Sequence, residues 1–74
     1  MDPRTRLPAA AALNALPGWV RWIAQDADGT WWGYEVQPLQ HDCGWYENEV
    51  GRSRRILRAA VGGDWRATLV RMRD

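Results

Sequence analysis

The sequence predicts a small α+β domain: a four-stranded antiparallel sheet in meander order, with one short helix before it and one after it. Three observations carry that expectation. Residues 19–36 hold two runs rich in aromatic and β-branched residues on either side of Asp26-Ala27-Asp28-Gly29, the pattern of a hairpin. Helix formers follow Pro8 and stop at Pro17-Gly18, and Asp64 stands where it can cap a closing helix. The 74 residues include six Trp but one Cys and one His, so tryptophan supplies the mass of the core in place of a disulfide or a structural zinc. Residues 1–18 read as an N-terminal extension and 19–74 as the single domain.

Each element follows from local chemistry. A short helix is expected over about residues 9–16, behind a proline suited to a first turn. Two arginines precede this stretch, but Pro8 and Asn14 interrupt it, which argues against a secretory signal. In the hairpin, a three-residue loop with Gly29 at the left-handed position pairs Asp26 with Thr30. Ala24 then faces Trp32, Trp22 faces Tyr34 and Val20 faces Val36, all on one apolar side. The other side pairs Gln25 with Trp31, Ile23 with Gly33 and Arg21 with Glu35. A slip of one residue would destroy that sorting. The apolar side is expected to face the core, with Val20, Trp22, Trp32, Tyr34, Leu57, Trp65 and Leu69 in it, and Trp31 is expected to lie outside.

Pro38 ends the second strand, residues 37–44 form a polar loop, and residues 45–50 alternate well enough for a third strand. Residues 53–61 are ambiguous. As a strand they sort Leu57, Ala59 and Val61 from Arg54, Ile56 and Arg58; as a helix they have Ser53 as N-cap and Gly62 as stop. The strand is preferred, because three strands would leave an open edge beside a Trp-rich face. Asp64 then caps a last helix with Trp65, Leu69 and Met72 at helical spacing.

Charge is unevenly distributed. The net charge is +1, yet residues 22–51 contain six carboxylates and no arginine, while residues 52–74 contain seven arginines and two aspartates. One of these blocks can form a face for a partner of opposite sign, or the two can pair within the fold. No apolar run approaches the length of a membrane span, and composition predicts a soluble domain.

The chemical motifs are weak. Asp26, Asp28, Gly29 and Glu35 fall on four positions of a calcium-binding loop, but Ala24 occupies the first ligand position and the flanks read as strands. A turn with its own side-chain hydrogen bonds explains the same residues, and no metal or other cofactor is expected. His41-Asp42-Cys43 has the residue types of a thiol nucleophile and base, but sequence neighbours rarely assemble a catalytic site, so no catalytic residue is assigned and the chain is not expected to be an enzyme. Trp and Arg interleave, and Arg52, Arg54, Arg55 and Arg58 could neutralise phosphates while an exposed Trp stacks a base. That is the alternative reading, a single-stranded nucleic-acid module. The acidic middle third opposes it.

Residues 22–35, reading WIAQDADGTWWGYE, then Pro38, then Gly44-Trp45, then Asp64-Trp65-Arg66-Ala67-Thr68-Leu69, resemble a group of short phage and prophage proteins. These share an AxDxDGxWxxY hairpin and a closing tryptophan, basic residue, Ser or Thr, and leucine; Thr68 stands where Ser is commoner. The resemblance covers about residues 19–70. It implies an accessory protein that blocks a host machine in the bacterial cytoplasm, in the manner of anti-CRISPR proteins. The partner expected is a bacterial host protein complex such as a CRISPR effector, and the chain is expected to be a monomer or weak homodimer. Trp31, Asp42, Trp45, Tyr46, Glu47 and Glu49 are the residues expected to bind it, aromatic anchors among carboxylates. A self-associating structural phage protein, joined through the Trp31 face, is a further alternative.

Overall fold

A computed structural model describes residues 2–47 and 51–72. Its elements in chain order are helix α1 (Ala10–Asn14), strands β1 (Trp22–Gln25), β2 (Thr30–Tyr34), β3 (Leu39–Gln40), β4 (Trp45–Tyr46) and β5 (Ser53–Arg58), a 3-10 turn (Trp65–Ala67) and strand β6 (Val70–Arg71). A four-stranded antiparallel sheet runs in the order β5-β2-β1-β6, and β3 and β4 form a separate two-stranded ribbon.

The hairpin has the register expected of it. Trp22 pairs with Tyr34, Ile23 with Gly33, Ala24 with Trp32 and Gln25 with Trp31. The turn is built as its residues require. Gly29 has φ 96°, the left-handed region open to glycine; its N–H donates to Asp26 O at 2.9 Å, and Thr30 N–H donates to the Asp28 carboxylate at 2.9 Å. The strands stop short of two expected pairs. Arg21 N–H continues the ladder to Tyr34 O, but Glu35 pairs with Arg52, whose guanidinium reaches both carboxylate oxygens at 3.2 and 3.0 Å.

The larger correction concerns which face is the core. The cluster of Val20, Ile23 and Trp31, joined by Leu13, Leu16, Trp19, Ile56, Leu57, Val70 and Met72, lies on the side that pairs Gln25 with Trp31. Trp31 is 0% exposed, whereas Trp22 and Trp32 are half-buried. Gly33 explains part of this. The Val20 side chain fills the space where a Cβ would stand, with Cγ1 2.8 Å from that point. Gln25, which made this face look polar, is buried with its amide used: Nε2 donates to Gly29 O and Ala59 O, both at 3.1 Å. Of the other expected core residues, Tyr34 is buried under the ribbon side, and Leu57, Trp65 and Leu69 are half-buried.

Residues 53–61 do provide a strand, Ser53–Arg58, but it pairs with β2, with an irregularity between Trp31 and Trp32. That bulge leaves Ile56 unpaired, and Ile56 and Leu57 both pack on the core although they are adjacent in sequence. The expected meander is corrected. The slot beside β2 belongs to β5, whereas Trp45 and Tyr46 of the expected third strand pair with Gln40 and Leu39, and residues 48–50 of it lie outside the described residues. The six-residue β5 offers β2 a longer ladder than the two-residue β4.

The closing helix is also corrected. Asp64 caps a turn, accepting from Arg66 N–H at 3.0 Å, but only Trp65–Ala67 are helical. The chain then becomes β6, because β1 needs a backbone partner on its open edge: Val70 pairs with Ile23 and Met72 N–H donates to Arg21 O at 2.7 Å. The segment read as an extension is packed on the domain, through Leu13 and Leu16 and through Asp2, which accepts from Asp64 N–H.

Thr68 joins the 3-10 turn to the sheet. It is buried, and its Oγ1 accepts from Gln25 N–H at 2.9 Å and lies 2.6 Å from Trp65 O, to which it donates. A serine hydroxyl at this position could make both bonds as well. Thr68→Val leaves Gln25 N–H buried without an acceptor and should cost about 1–3 kcal/mol. Thr68→Ser should cost clearly less, and urea denaturation of the pair measures the difference.

Candidate protein-binding site

The ribbon is a two-strand excursion fixed to the end of the main hairpin. His41 N–H donates to Gly44 O at 2.8 Å and closes its turn. Ala27 N–H donates to Cys43 O at 3.1 Å, Trp45 N–H to Asp26 Oδ1 at 2.9 Å and the Trp45 indole N–H to Gln25 O at 3.0 Å. The Trp45 ring meets Trp65 edge-on at 6.3 Å. The approach is close: a Cβ at Gly44 would sit 2.8 Å from Asp26 Oδ1 and would push that carboxylate aside. Trp45 is thus the anchor that holds the ribbon, half-buried rather than presented.

What the ribbon presents is a mixed surface. Leu39 and Tyr46 are cross-strand neighbours, 40% and 45% exposed, and His41 stands edge-on to Tyr46 at 5.5 Å. Asp42, Cys43 and Glu47 are exposed beside them, and Ser53 donates to Glu47. An open depression of about 650 Å³ lies at the turn, lined by Asp26, His41, Cys43, Gly44, Trp45 and Tyr46. A smaller one of about 300 Å³ shares Asp26, Trp45 and Tyr46 with it and reaches Trp32, Tyr34 and Glu47.

The electrostatics of this region are one-sided. Burial raises the Asp26 pKa above the usual carboxylate value, the Trp45 N–H lowers it in part, and the charge of Asp28 raises it further. Burial, together with the charges of Asp26 and Glu47, holds the Tyr34 phenol protonated well above its usual range. For Asp26 the sign is clear: the folded carboxyl binds its proton more tightly than the unfolded one, so stability falls as pH rises from 3.8 through the raised value. Asp26→Asn keeps the acceptor for Trp45 N–H without the buried charge, and should be at least as stable as the parent at neutral pH. Asp26→Ala removes the acceptor and should cost about 1–2 kcal/mol; thermal melts of both at pH 7 and pH 4 check the contrast.

The structure brings Asp42, Trp45, Tyr46 and Glu47 together on the ribbon. Glu49 lies outside the described residues. Trp31 is corrected from surface anchor to core residue, which also removes the basis for self-association through a Trp31 face. Asp26, which reads in sequence as a turn residue, and His41, which reads as part of a His-Asp-Cys run, join this site only in the fold, and Leu39 carries no such signal. The only signal available for Leu39 was an apolar residue isolated in a polar loop.

The arginines proposed for nucleic acid stand on or beside β5, and half of them are occupied. Arg52 is paired with Glu35 and lies 4.7 Å from the Trp19 ring centre, and Arg58 Nε donates to Asp28 O at 3.0 Å. Arg54 and Arg55 are exposed. Arg66 and Arg71 lie over Trp65 and Trp22, each at 5.5 Å, so Trp and Arg interleaved in sequence become stacked pairs within the fold.

Asp28 spends its carboxylate on Thr30 N–H, and Asp26 spends one oxygen on Trp45 N–H. Among the described residues no group of three or more His, Cys, Asp or Glu is placed to hold a metal ion, and no helix is long and apolar enough to cross a membrane. No protein-family model matches the chain, and no curated protein or solved structure shows significant similarity to it.

Proposed function

We propose that this chain is a non-catalytic binding protein that docks on a partner protein through the acidic ribbon of β3 and β4. The observation that carries the reading is the exposed cross-strand pair Leu39 and Tyr46, flanked by Asp42 and Glu47. An apolar centre with an acidic rim suits a basic protein surface: the aromatic side chain supplies affinity, and the carboxylates supply orientation and association rate. No arginine occurs between residues 22 and 51. The likeness of the hairpin to short phage and prophage proteins supports a bacterial host complex, such as a CRISPR effector, as the partner and inhibition of a defence system in the host cytoplasm as the outcome.

Capture from a lysate of a defended host, together with phage plating on that host, tests the proposal. The tagged parent chain should retain a defence complex and raise plating efficiency. The triple variant Asp42→Asn, Glu47→Gln, Glu49→Gln and the single variant Tyr46→Ala should each weaken capture by about tenfold or more while keeping the parent's circular dichroism spectrum. Undiminished capture and plating by the folded triple variant would remove the acidic-interface reading. Salt-sensitive retention of single-stranded oligonucleotides in place of a protein would replace it with the nucleic-acid one.

A further inference from the structure

The depression at the ribbon turn has a feature that its fold does not use. Asp26 is half-buried, and the hydrogen bond it receives there goes to Oδ1, from Trp45 N–H. Oδ2 receives none from any described residue. Neither an arginine nor a lysine lines the depression; its walls are His41, Cys43, Gly44, Trp45 and Tyr46. The neighbouring charge that acts on Asp26 is another carboxylate, Asp28. A carboxylate taken partly out of water is costly unless a cation or further donors compensate it, and among the described residues neither does.

The shape and lining select among cations. A guanidinium is planar and more weakly hydrated than an ammonium, so it can lie against an aromatic ring while two of its N–H groups meet a carboxylate. Tyr46 and His41 supply rings at the rim, in edge-on contact with each other at 5.5 Å. We infer that this depression receives an arginine side chain of the partner protein, its guanidinium paired with Asp26 Oδ2 and lying against Tyr46. The inference rests on the ribbon being the docking surface and names the group that the surface takes. The exposed Asp42 in the turn and the exposed Glu47 just after β4 favour a basic neighbourhood around that arginine.

The assignment is testable without the partner. The ¹⁵N-labelled full chain is titrated with Nα-acetyl-arginine methylamide, and the amides of Gly44 and Trp45 and the Trp45 indole are followed by NMR. Saturable shifts in the millimolar range are expected for a single exposed charge pair on an aromatic wall. The uncharged citrulline analogue should give none. Asp26→Asn, which retains the acceptor for Trp45 N–H and hence the ribbon, should bind the probe about fivefold or more weakly. Affinity should also decline as pH is lowered through the titration of Asp26. Absence of saturable shifts, or equal binding by Asp26→Asn, overturns the inference. Concentration-dependent dimerisation that Asp26→Asn abolishes would place a second copy's arginine there and overturn the assignment to a different protein. The two readings fail separately. Lost probe binding with Tyr46-dependent partner capture intact removes the arginine site alone, whereas normal probe binding with no partner captured removes the docking reading.

Discussion

Trp31→Ala is expected to abolish cooperative folding, while Trp31→Phe leaves a folded protein. The indole is 0% exposed and sits in the cluster with Val20 and Ile23, against Leu57 across the strand pair. Truncating a buried aromatic to alanine costs about 3–5 kcal/mol. That is comparable with the whole stability of a domain this size, roughly 4–11 kcal/mol from per-residue scaling. Phenylalanine behaves differently because the Trp31 Nε1 donor is buried with no hydrogen-bond partner. Replacing the indole by a phenyl ring loses volume but also removes that unsatisfied donor, so the net loss should be about 1–2 kcal/mol. Guanidinium denaturation followed by circular dichroism distinguishes the two. A Trp31→Ala protein unfolding within about 1 kcal/mol of the parent would mean that this face is not the core.

Gly29→Ala should be nearly as damaging, for a reason of backbone rather than packing. With φ at 96°, any Cβ is strained, and it would stand 2.1 Å from Ala59 O, a backbone atom that cannot swing aside. Gly29 O also accepts from Ala59 N–H at 3.0 Å and from Gln25 Nε2 at 3.1 Å. One turn therefore ties the hairpin to the end of β5. The left-handed conformation costs an alanine about 1–2 kcal/mol, and moving Ala59 disturbs these hydrogen bonds as well, so a total loss of about 3 kcal/mol or more is expected. Gly18→Ala is the matched control, because nothing lies within 4 Å of its added Cβ; its stability should stay within about 0.5 kcal/mol of the parent. Equal midpoints for the two variants would show that the contact between turn and β5 carries no stability.

The candidate site was partly legible in the sequence. The carboxylate-rich stretch and the pair Trp45-Tyr46 stand out, and Asp42, Trp45, Tyr46 and Glu47 do share one ribbon. Asp26 was not legible as part of it, since its role depends on the approach of Trp45, nineteen positions away. Nor could composition divide the tryptophans. Trp45 spends its indole N–H on Gln25 O, Trp22 lies beneath Arg71, and only the assembled fold shows that Trp31 is withdrawn from the surface.

By itself the sequence determined the α1 segment, the turn at Gly29, the hairpin register and the Asp64 cap. These are local outcomes: a proline restricts φ, a glycine admits the left-handed turn that other residues avoid, a short side chain caps an N–H, and side-chain alternation of period two forbids a slipped register. Tertiary structure alone decided which face of the hairpin became the core, which segment took the place beside β2, and that residues 70–71 became strand rather than helix. Alternation separates two faces but does not say which one other segments will cover. That choice fell to distant side chains, with Val20 filling the gap over Gly33 and Gln25 satisfied by Ala59 O. The open edge of β1 was likewise a demand for backbone hydrogen bonds that Val70 and Met72 met.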